Sequence, residues 1–249
     1  MSGQPYVLFI SDLHLTPERP LPVQLFQRFI KEVAPGAQAL YILGDFFEAW
    51  VGDDNLAQTF NQDITSALKS LSERGVALFF LPGNRDFLVG PTFAEAAGLT
   101  LLADPTNIEL FGVSTLLAHG DQFCTDDAAY QDFRRQVREP TWQRNFLAQA
   151  LDQRLALAKA LRERSEHAKA DKKPEIMDVN NTAIAAALDL LTRNGQPIER
   201  IIHGHTHRPA RHEYRHNGQI GERWVLPDWY ETGGYLACDE LGCQLAEFP

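Results

Sequence analysis

The chain has 249 residues, enough for one large α/β domain or a domain carrying an insertion, and its 44% hydrophobic content is that of an ordinary globular protein. A net charge of −10 argues against a general nucleic-acid binder, and the absence of an uninterrupted apolar run of about 18 residues excludes a membrane-spanning helix. Three cysteines (Cys124, Cys238 and Cys243) form neither an even framework nor a C-x-x-C pair, so all three are expected to be free thiols in a reducing cytosol.

The N-terminus lacks the basic start and apolar stretch of a signal peptide and enters a strand-like run, Tyr6–Ile10, almost at once. Further short apolar runs predict buried strands at Ala39–Leu43, Val76–Leu81, Ser114–Ala118 and Arg200–Ile202. Amphipathic helices are expected between them. One carries Phe26, Phe29, Ile30 and Val33, and a second carries Leu56, Phe60, Ile64, Leu68 and Leu71. Phe123 to Asp178 breaks the alternation. Its pattern is helical throughout, with Trp142, Phe146, Ala150 and Leu151 on one face, followed by Leu155, Leu157 and Leu161. It predicts a helical insertion, about 123–178, lying like a cap over the mouth of a single domain that spans 1–249. A helix after Asn180 carries Ile184, Ala187, Leu188 and Leu191, and the Trp-, Tyr- and Gly-rich stretch from Arg211 predicts antiparallel strands closing the sheet. Strands alternating with helices imply a layered α/β fold.

Charge is unevenly spread. From Arg134 to Lys173 there are eleven Lys and Arg against five Asp and Glu, a local +6 in a chain whose remainder carries −16. Such an island faces either an anionic ligand or an acidic lipid surface, or is simply a solvated helix laced with ion pairs.

Each apolar strand runs into a polar cluster. Ile10 leads to Ser11-Asp12-Leu13-His14, Leu43 to Gly44-Asp45, Leu81 to Pro82-Gly83-Asn84-Arg85-Asp86, Ala118 to His119-Gly120-Asp121, and Ile202 to His203-Gly204-His205-Thr206-His207. In open α/β sheets ligands sit outside the carboxyl ends of the strands, so five such ends converge on one crevice. Carboxylate, imidazole and amide oxygen without thiolate suit Mn, Fe or Zn. These are more ligands than one ion needs, and a bridging carboxylate holds two ions about 3.5–4 Å apart in two-metal hydrolases. A lone Gly-Asp is usually a turn and a lone buried His usually a satisfied core residue; five such words in order at strand ends are not.

The ordered series resembles the calcineurin-like metallophosphoesterases. That resemblance implies a four-layer α-β-β-α sandwich with a helical cap insertion. It places Asp12, His14, Asp45 and His207 on a first metal and Asp45, Asn84, His119 and His205 on a second, with Asp45 as the bridge. Two carboxylates against two dications leave about +2 facing an anionic phosphoester. His203 lies outside the matching pattern and is expected to be structural or to support a ligand. Asp45, Asn84, Arg85 and His119 are the candidate catalytic residues. Many members have His where this chain has Arg85. Arg cannot release its proton at working pH, but its fork suits a charged phosphate oxygen, which points to a pyrophosphate whose leaving group needs little protonation. The alternative is that Arg85 anchors Asp86.

Longer words sharpen the likeness. Leu43-Gly44-Asp45-Phe46-Phe47-Glu48-Ala49-Trp50, Gly83-Asn84-Arg85-Asp86-Phe87-Leu88, His119-Gly120-Asp121 with Cys124-Thr125-Asp126-Asp127, Ile176-Met177-Asp178-Val179-Asn180, and His205-Thr206-His207-Arg208-Pro209 are similar to the UDP-2,3-diacylglucosamine diphosphatases of lipid A synthesis over nearly the whole chain. That likeness implies Mn²⁺, water attack on the uridylyl phosphorus, and release of UMP and 2,3-diacylglucosamine 1-phosphate. It also implies substrate contacts at Asn84, Arg85, Asp127, Ser165, Lys172 and His205, with a further position on Lys169 where a member of that family has Asn. The Met177-to-His205 spacing is longer here, with the extra residues expected near Asn194-Gly195-Gln196-Pro197.

A lipid with two acyl chains needs an apolar trough, for which Trp142, Phe146, Leu147 and Leu151 are candidates; the other reading is that they only dock the insertion. The expected partners are this lipid nucleotide and the anionic cytoplasmic face of the inner membrane, met peripherally, with no nucleic acid. The competing readings are another phosphodiesterase or nucleotide-sugar pyrophosphatase of the same fold, a non-catalytic metal-binding scaffold, and a nuclease.

Overall fold

The computed structural model describes residues 4–170, 176, 178–191 and 197–249, with the side chains of 166–170 left outside that description. Among the described residues the strands form two sheets. The first has β1 (Val7–Ile10), β2 (Ala39–Ile42), β3 (Ala77–Phe80) and β4 (Thr100–Leu101) in parallel, extended antiparallel by β10 (Gly233–Asp239) and β11 (Gly242–Phe248), in the order β11-β10-β1-β2-β3-β4. The second is β5 (Thr106–Leu110), β6 (Val113–Ala118), β7 (Arg200–His203), β9 (Gln219–Val225) and β8 (Ala210–His216), in that spatial order. The strands β6, β7 and β9 run parallel, and β5 and β8 are antiparallel edges. The C-terminal strands therefore do not close one sheet: β8 and β9 complete the second, while β10 and β11 extend the first.

The two sheets pack face to face. Val7 and Phe9 of β1, Leu43, Leu81, Leu117, Ile202, Trp224 and Leu236 fill the space between them. The outer face of the first sheet is covered by α1 (Pro20–Glu32), α2 (Thr59–Glu73) and α3 (Pro91–Ala97). In α1, Pro20 and Pro22 sit in the first turn, where a missing N–H costs nothing, and Leu25, Phe26, Phe29 and Ile30 recur at helical spacing on the buried face. The helix α3 starts after Gly90, which has no capping side chain; Asp53 reaches across to accept from the backbone of Gly90, Thr92 and Phe93 at 2.9, 2.9 and 3.1 Å. Trp50, Phe46, Phe47, Phe80 and Phe93 interlock beneath it, edge to face except for the tilted Phe47–Trp50 pair. Each such fully buried side chain stabilises the fold by roughly 1.5–3 kcal/mol. The outer face of the second sheet is covered by α7 (Asn181–Leu191) through Ile184 and Leu188. Helix, sheet, sheet and helix give the four layers.

Between Phe123 and Asp178 the described residues form three helices, α4 (Ala128–Arg138), α5 (Pro140–Leu147) and α6 (Leu151–Ala170), separated by turns at 124–127, 139 and 148–150. Helix α5 docks through Phe146 and Trp142, and α4 and α6 through arginine. Arg154 of α6 is buried and donates to the carbonyl of Gln149, the carbonyl of Val51 and the carboxylate of Asp54. Arg138 of α4 donates to the Gly83 carbonyl at 3.1 Å and lies over the Phe87 ring.

Two further differences from the expectation have clear causes. The elements α3, β4 and β5 were not anticipated, because a seven-residue helix, a two-residue strand and an edge strand of polar alternation give little periodic signal. Cys238 and Cys243 are not free thiols: they stand opposite each other in the β10–β11 register, with Cα atoms 4.1 Å apart, and form a disulfide, whereas Cys124 is a buried thiol outside any disulfide. The Asn194-Gly195-Gln196 part of the expected long turn lies outside the described residues.

Candidate metal centre

The polar words at the ends of β1, β2, β3, β6 and β7 meet on one rim. Two clusters of ligand atoms result: Asp12, His14 and His207 form one, and Asp45, His119 and His205 the other, with the atoms of each lying within 4.8 Å of one another. Asp45 stands between them. Its Oδ2 faces His14 Nε2 at 3.8 Å, and its Oδ1 faces His119 Nε2 at 3.6 Å. Asn84 joins the second cluster, its Oδ1 3.1 Å from His119 Nε2. All seven side chains named from the sequence are thus brought together.

The backbone carries this convergence. Asp12, His14, Asp45, His205 and His207 have φ between 49° and 68°, the left-handed region that non-glycine residues rarely adopt. Strain of this kind costs about 1–3 kcal/mol per residue and persists only where the surroundings over-determine it. The restraints are visible. The amides of Asp12 and His14 donate to the carbonyls of Gly44 and Asp45 at 3.1 and 2.9 Å. The His205 amide donates to Asp12 Oδ2 at 2.9 Å, and the Arg85 amide to Asp45 Oδ1 at 2.8 Å. Asp86 is fully buried and accepts from the amides of Gly83, Asp45, Phe46 and Phe47, tying the Gly-Asp and Gly-Asn turns into one unit. A Cβ at Gly83 would sit 2.3 Å from the Asp45 amide nitrogen, and one at Gly204 would sit 2.2 Å from Asp12 Oδ2.

The cluster carries the mark of a cation site. His14 Nε2 is buried without a hydrogen-bond partner, a costly state for a polar atom that a cation would relieve. Burial and the charges around each group shift their protonation in opposing directions. Burial holds His14 below its ordinary value, and burial together with the neighbouring His119 pushes His205 down to about 3. At His119 burial is outweighed by the charges of Asp45, Asp12 and Asp121, raising it to about 9. Asp12 is lowered: burial opposes this, but the His207 hydrogen bond and the three nearby imidazoles win. His207 is raised, despite burial, by Asp12 and Asp228, so a divalent ion would meet His14 and His205 already neutral and would displace a proton from His119 and His207.

The family profile of the calcineurin-like phosphoesterases matches residues 5–209. The chain belongs to the calcineurin-like phosphoesterases. Members of that family work with two divalent metals, and the two clusters here are suited to hold them. The chain is also similar to curated proteins named UDP-2,3-diacylglucosamine hydrolase. The one from Aromatoleum aromaticum is 49% identical over 96% of this chain and 95% of its own length. Those from Xanthomonas axonopodis pv. citri and Stenotrophomonas maltophilia are each 47% identical, over 96% of this chain and 98% and 96% of theirs.

The other sequence-named residues fall in different surroundings. Arg85 lies half-buried beside the rim, close enough for its charge to act on both His14 and Asp45. Asp86 beside it is held by the backbone amides of Gly83 and Phe46. Asp127 caps α4, accepting from the Tyr130 amide at 3.2 Å. Ser165 is half-buried on α6. The Lys169 side chain and Lys172 lie outside the described residues. His203 is fully buried, with Nδ1 2.9 Å from the Gly204 carbonyl and Nε2 3.0 Å from Arg223 Nη1. Burial and the Arg223 charge lower it to about 3, so it is a neutral brace for the loop carrying His205 and His207. The proposed trough divides. Phe146 is buried and Trp142 and Leu151 are partly buried against the core cluster, with Trp142 stacked on Phe146 at 4.9 Å, whereas Leu147 is 42% exposed.

Sequence reasoning passed over three groups around the rim. Asp121 is buried between Tyr130, which donates at 2.6 Å, and Arg134, which donates at 2.9 Å. Arg134 also reaches Asp104, whose Oδ1 accepts the His119 amide at 3.1 Å. Tyr230 packs against His14 and His207 with ring centroids 5.5 and 5.3 Å away. The Asp in His-Gly-Asp was the available signal for the first; nothing local marked Asp104 or Tyr230.

Proposed function

We propose that this chain hydrolyses UDP-2,3-diacylglucosamine to UMP and 2,3-diacylglucosamine 1-phosphate, a step of lipid A biosynthesis, with water attacking the uridylyl phosphorus. The observation that carries the reading is Asp45 standing between the two clusters, one carboxylate oxygen toward each. Asp12, His14, Asp45 and His207 are proposed to hold one divalent cation and Asp45, Asn84, His119 and His205 the other, with Mn²⁺ the preferred metal. Two such ions supply charge for the phosphoryl oxygens and lower the pKa of the attacking water.

The protein's own groups do the rest. Asn84 and His205 fix the attacked phosphoryl group against the rim. Arg85 holds a phosphate oxygen by its fork, which favours a leaving group that is already an anion. Asp127, Ser165, Lys169 and Lys172 are proposed as further substrate contacts on the insertion, about 123–178, acting as a cap. Identity of 47–49% over nearly the full length with the named hydrolases supports this substrate. Exposed Phe133, Leu147 and Leu157, interleaved with exposed Arg135, Arg144, Lys159 and Arg164, support peripheral contact with the anionic cytoplasmic face of the inner membrane. No described helix is long and apolar enough to cross a membrane.

The test is incubation with UDP-2,3-diacylglucosamine with and without Mn²⁺ in ¹⁸O-labelled water. The expected result is Mn²⁺-dependent release of UMP carrying the label. Label in the lipid phosphate instead, or equal cleavage of non-acylated UDP-glucosamine, would replace this reading with that of a broader nucleotide-sugar pyrophosphatase.

A further inference from the structure

The first cluster is braced from outside by two carboxylates that none of the site residues above include. His14 Nε2 points inward at Asp12 and Asp45, at 3.9 and 3.8 Å. Its other ring nitrogen, Nδ1, is buried and faces Glu48 Oε2 at 3.7 Å. His207 repeats the arrangement, with Nε2 3.3 Å from Asp12 Oδ1 and Nδ1 3.7 Å from Asp228 Oδ2. We infer that Glu48 and Asp228 are positioning residues that turn the Nε2 atoms of His14 and His207 toward the first cation.

The chemistry is that of tautomer selection. A neutral imidazole carries one proton, and an acceptor at Nδ1 draws it there, leaving the Nε2 lone pair for the ion and raising its basicity. Glu48 is itself fixed. Arg19 Nη2 donates to Glu48 Oε2 at 2.6 Å and to the His14 carbonyl at 2.8 Å, binding both ends of the pair with one group. Arg162 of α6 pairs with the other Glu48 oxygen, so the insertion reaches to within one side chain of His14. Tyr230 completes the brace: it stacks parallel to His14 at 5.5 Å, touches His207, and lies under the Arg19 guanidinium at 4.9 Å. The second cluster is oriented differently. His119 Nδ1 lies 2.9 Å from the Leu43 carbonyl, a backbone acceptor that mutation of a side chain cannot remove. The prediction is therefore selective: removing the outer carboxylates weakens one metal site of two.

This inference rests on the two-metal reading, and one titration separates the two. Mn²⁺ is titrated calorimetrically into the metal-stripped full chain, its Glu48→Gln variant and its Asp228→Asn variant. Two binding events in the wild-type chain uphold the two-metal reading; a single event overturns that reading itself. Given two, each variant is expected to bind one Mn²⁺ about 10- to 100-fold more weakly and the other as the wild type does. Unchanged affinity at both sites, or an equal loss at both, overturns the positioning role. Circular dichroism reports whether each variant folds; should Glu48→Gln fail to fold, the partly exposed Asp228→Asn decides alone.

Discussion

The rim at the strand ends and the helical insertion solve opposite problems. At the rim, buried side chains are held by backbone: five of the candidate ligands sit in the left-handed region, and Asp86 alone gathers four amides. In α4–α6 the ties are side chains, Arg134, Arg138 and Arg154 with the buried Phe146, and large apolar residues such as Leu147 and Leu157 remain exposed. A centre that must keep ligand atoms within a few tenths of an ångström needs restraint that rotamers cannot undo. A surface proposed to receive a long lipid needs apolar area and adaptable charge instead.

The sharpest way to break the comparison is at the bridge. Asp45→Ala is expected to lower kcat/KM by more than about 10³-fold, beyond the loss of a single transition-state donor, and to reduce bound metal measured by mass spectrometry. Gly83→Ala adds only a methyl group, yet its Cβ would meet the Asp45 amide at 2.3 Å, so it too is expected to impair metal binding while leaving far-UV circular dichroism unchanged.

Next in size is Arg85→Lys, which keeps the charge and loses the fork. A charged hydrogen bond of about 1.5–3 kcal/mol corresponds to a fall of roughly 10- to 100-fold in kcat/KM. Metal content is expected to stay at the wild-type level.

On the insertion, Leu147→Gln with Leu157→Gln is expected to reduce sedimentation with anionic phospholipid vesicles several-fold, without changing metal content. Trp142→Glu separates docking from lining. Its ring is half-buried against Phe146 and Phe87, so the variant is expected to lose about 1–3 kcal/mol of stability in urea unfolding as a polar group enters that contact.

The smallest effect concerns pH. His203 is held neutral to about pH 3 in the folded chain by burial and Arg223, while its unfolded counterpart protonates near 6.5. The unfolded chain therefore binds the extra proton between these values, and stability is lost as pH falls through that window. The slope for this one group is at most about 1.4 kcal/mol per pH unit. His203→Gln is expected to flatten the urea midpoint against pH between 6.5 and 3 relative to the wild type.

The same contrast governs what the sequence discloses. The candidate metal ligands were legible because each is written in a short local word, His14 two residues after Asp12 and Asn84 directly after Gly83, at the end of an apolar run. The layered α/β alternation followed from those runs, and the four-layer arrangement from the family resemblance that the words carry. Glu48, Asp228, Asp104 and Tyr230 were not legible in their roles, because each acts on a ligand distant in sequence through a contact that only the packed sheets create. The Cys238–Cys243 bond was missed for a related reason: a spacing of five looks unpaired until a hairpin register sets the two opposite. Trp142, Phe146 and Leu147 were legible as apolar but not as docking or lining, since an apolar helix face reads the same in either case.

The most direct measurement is anomalous diffraction at the Mn edge from crystals of the Mn²⁺-loaded chain. Two peaks about 3.5–4 Å apart, one against Asp12, His14 and His207, the other against Asn84, His119 and His205, with Asp45 touching both, are the expected result. A single peak, or two that share no carboxylate oxygen donor from Asp45, would contradict it.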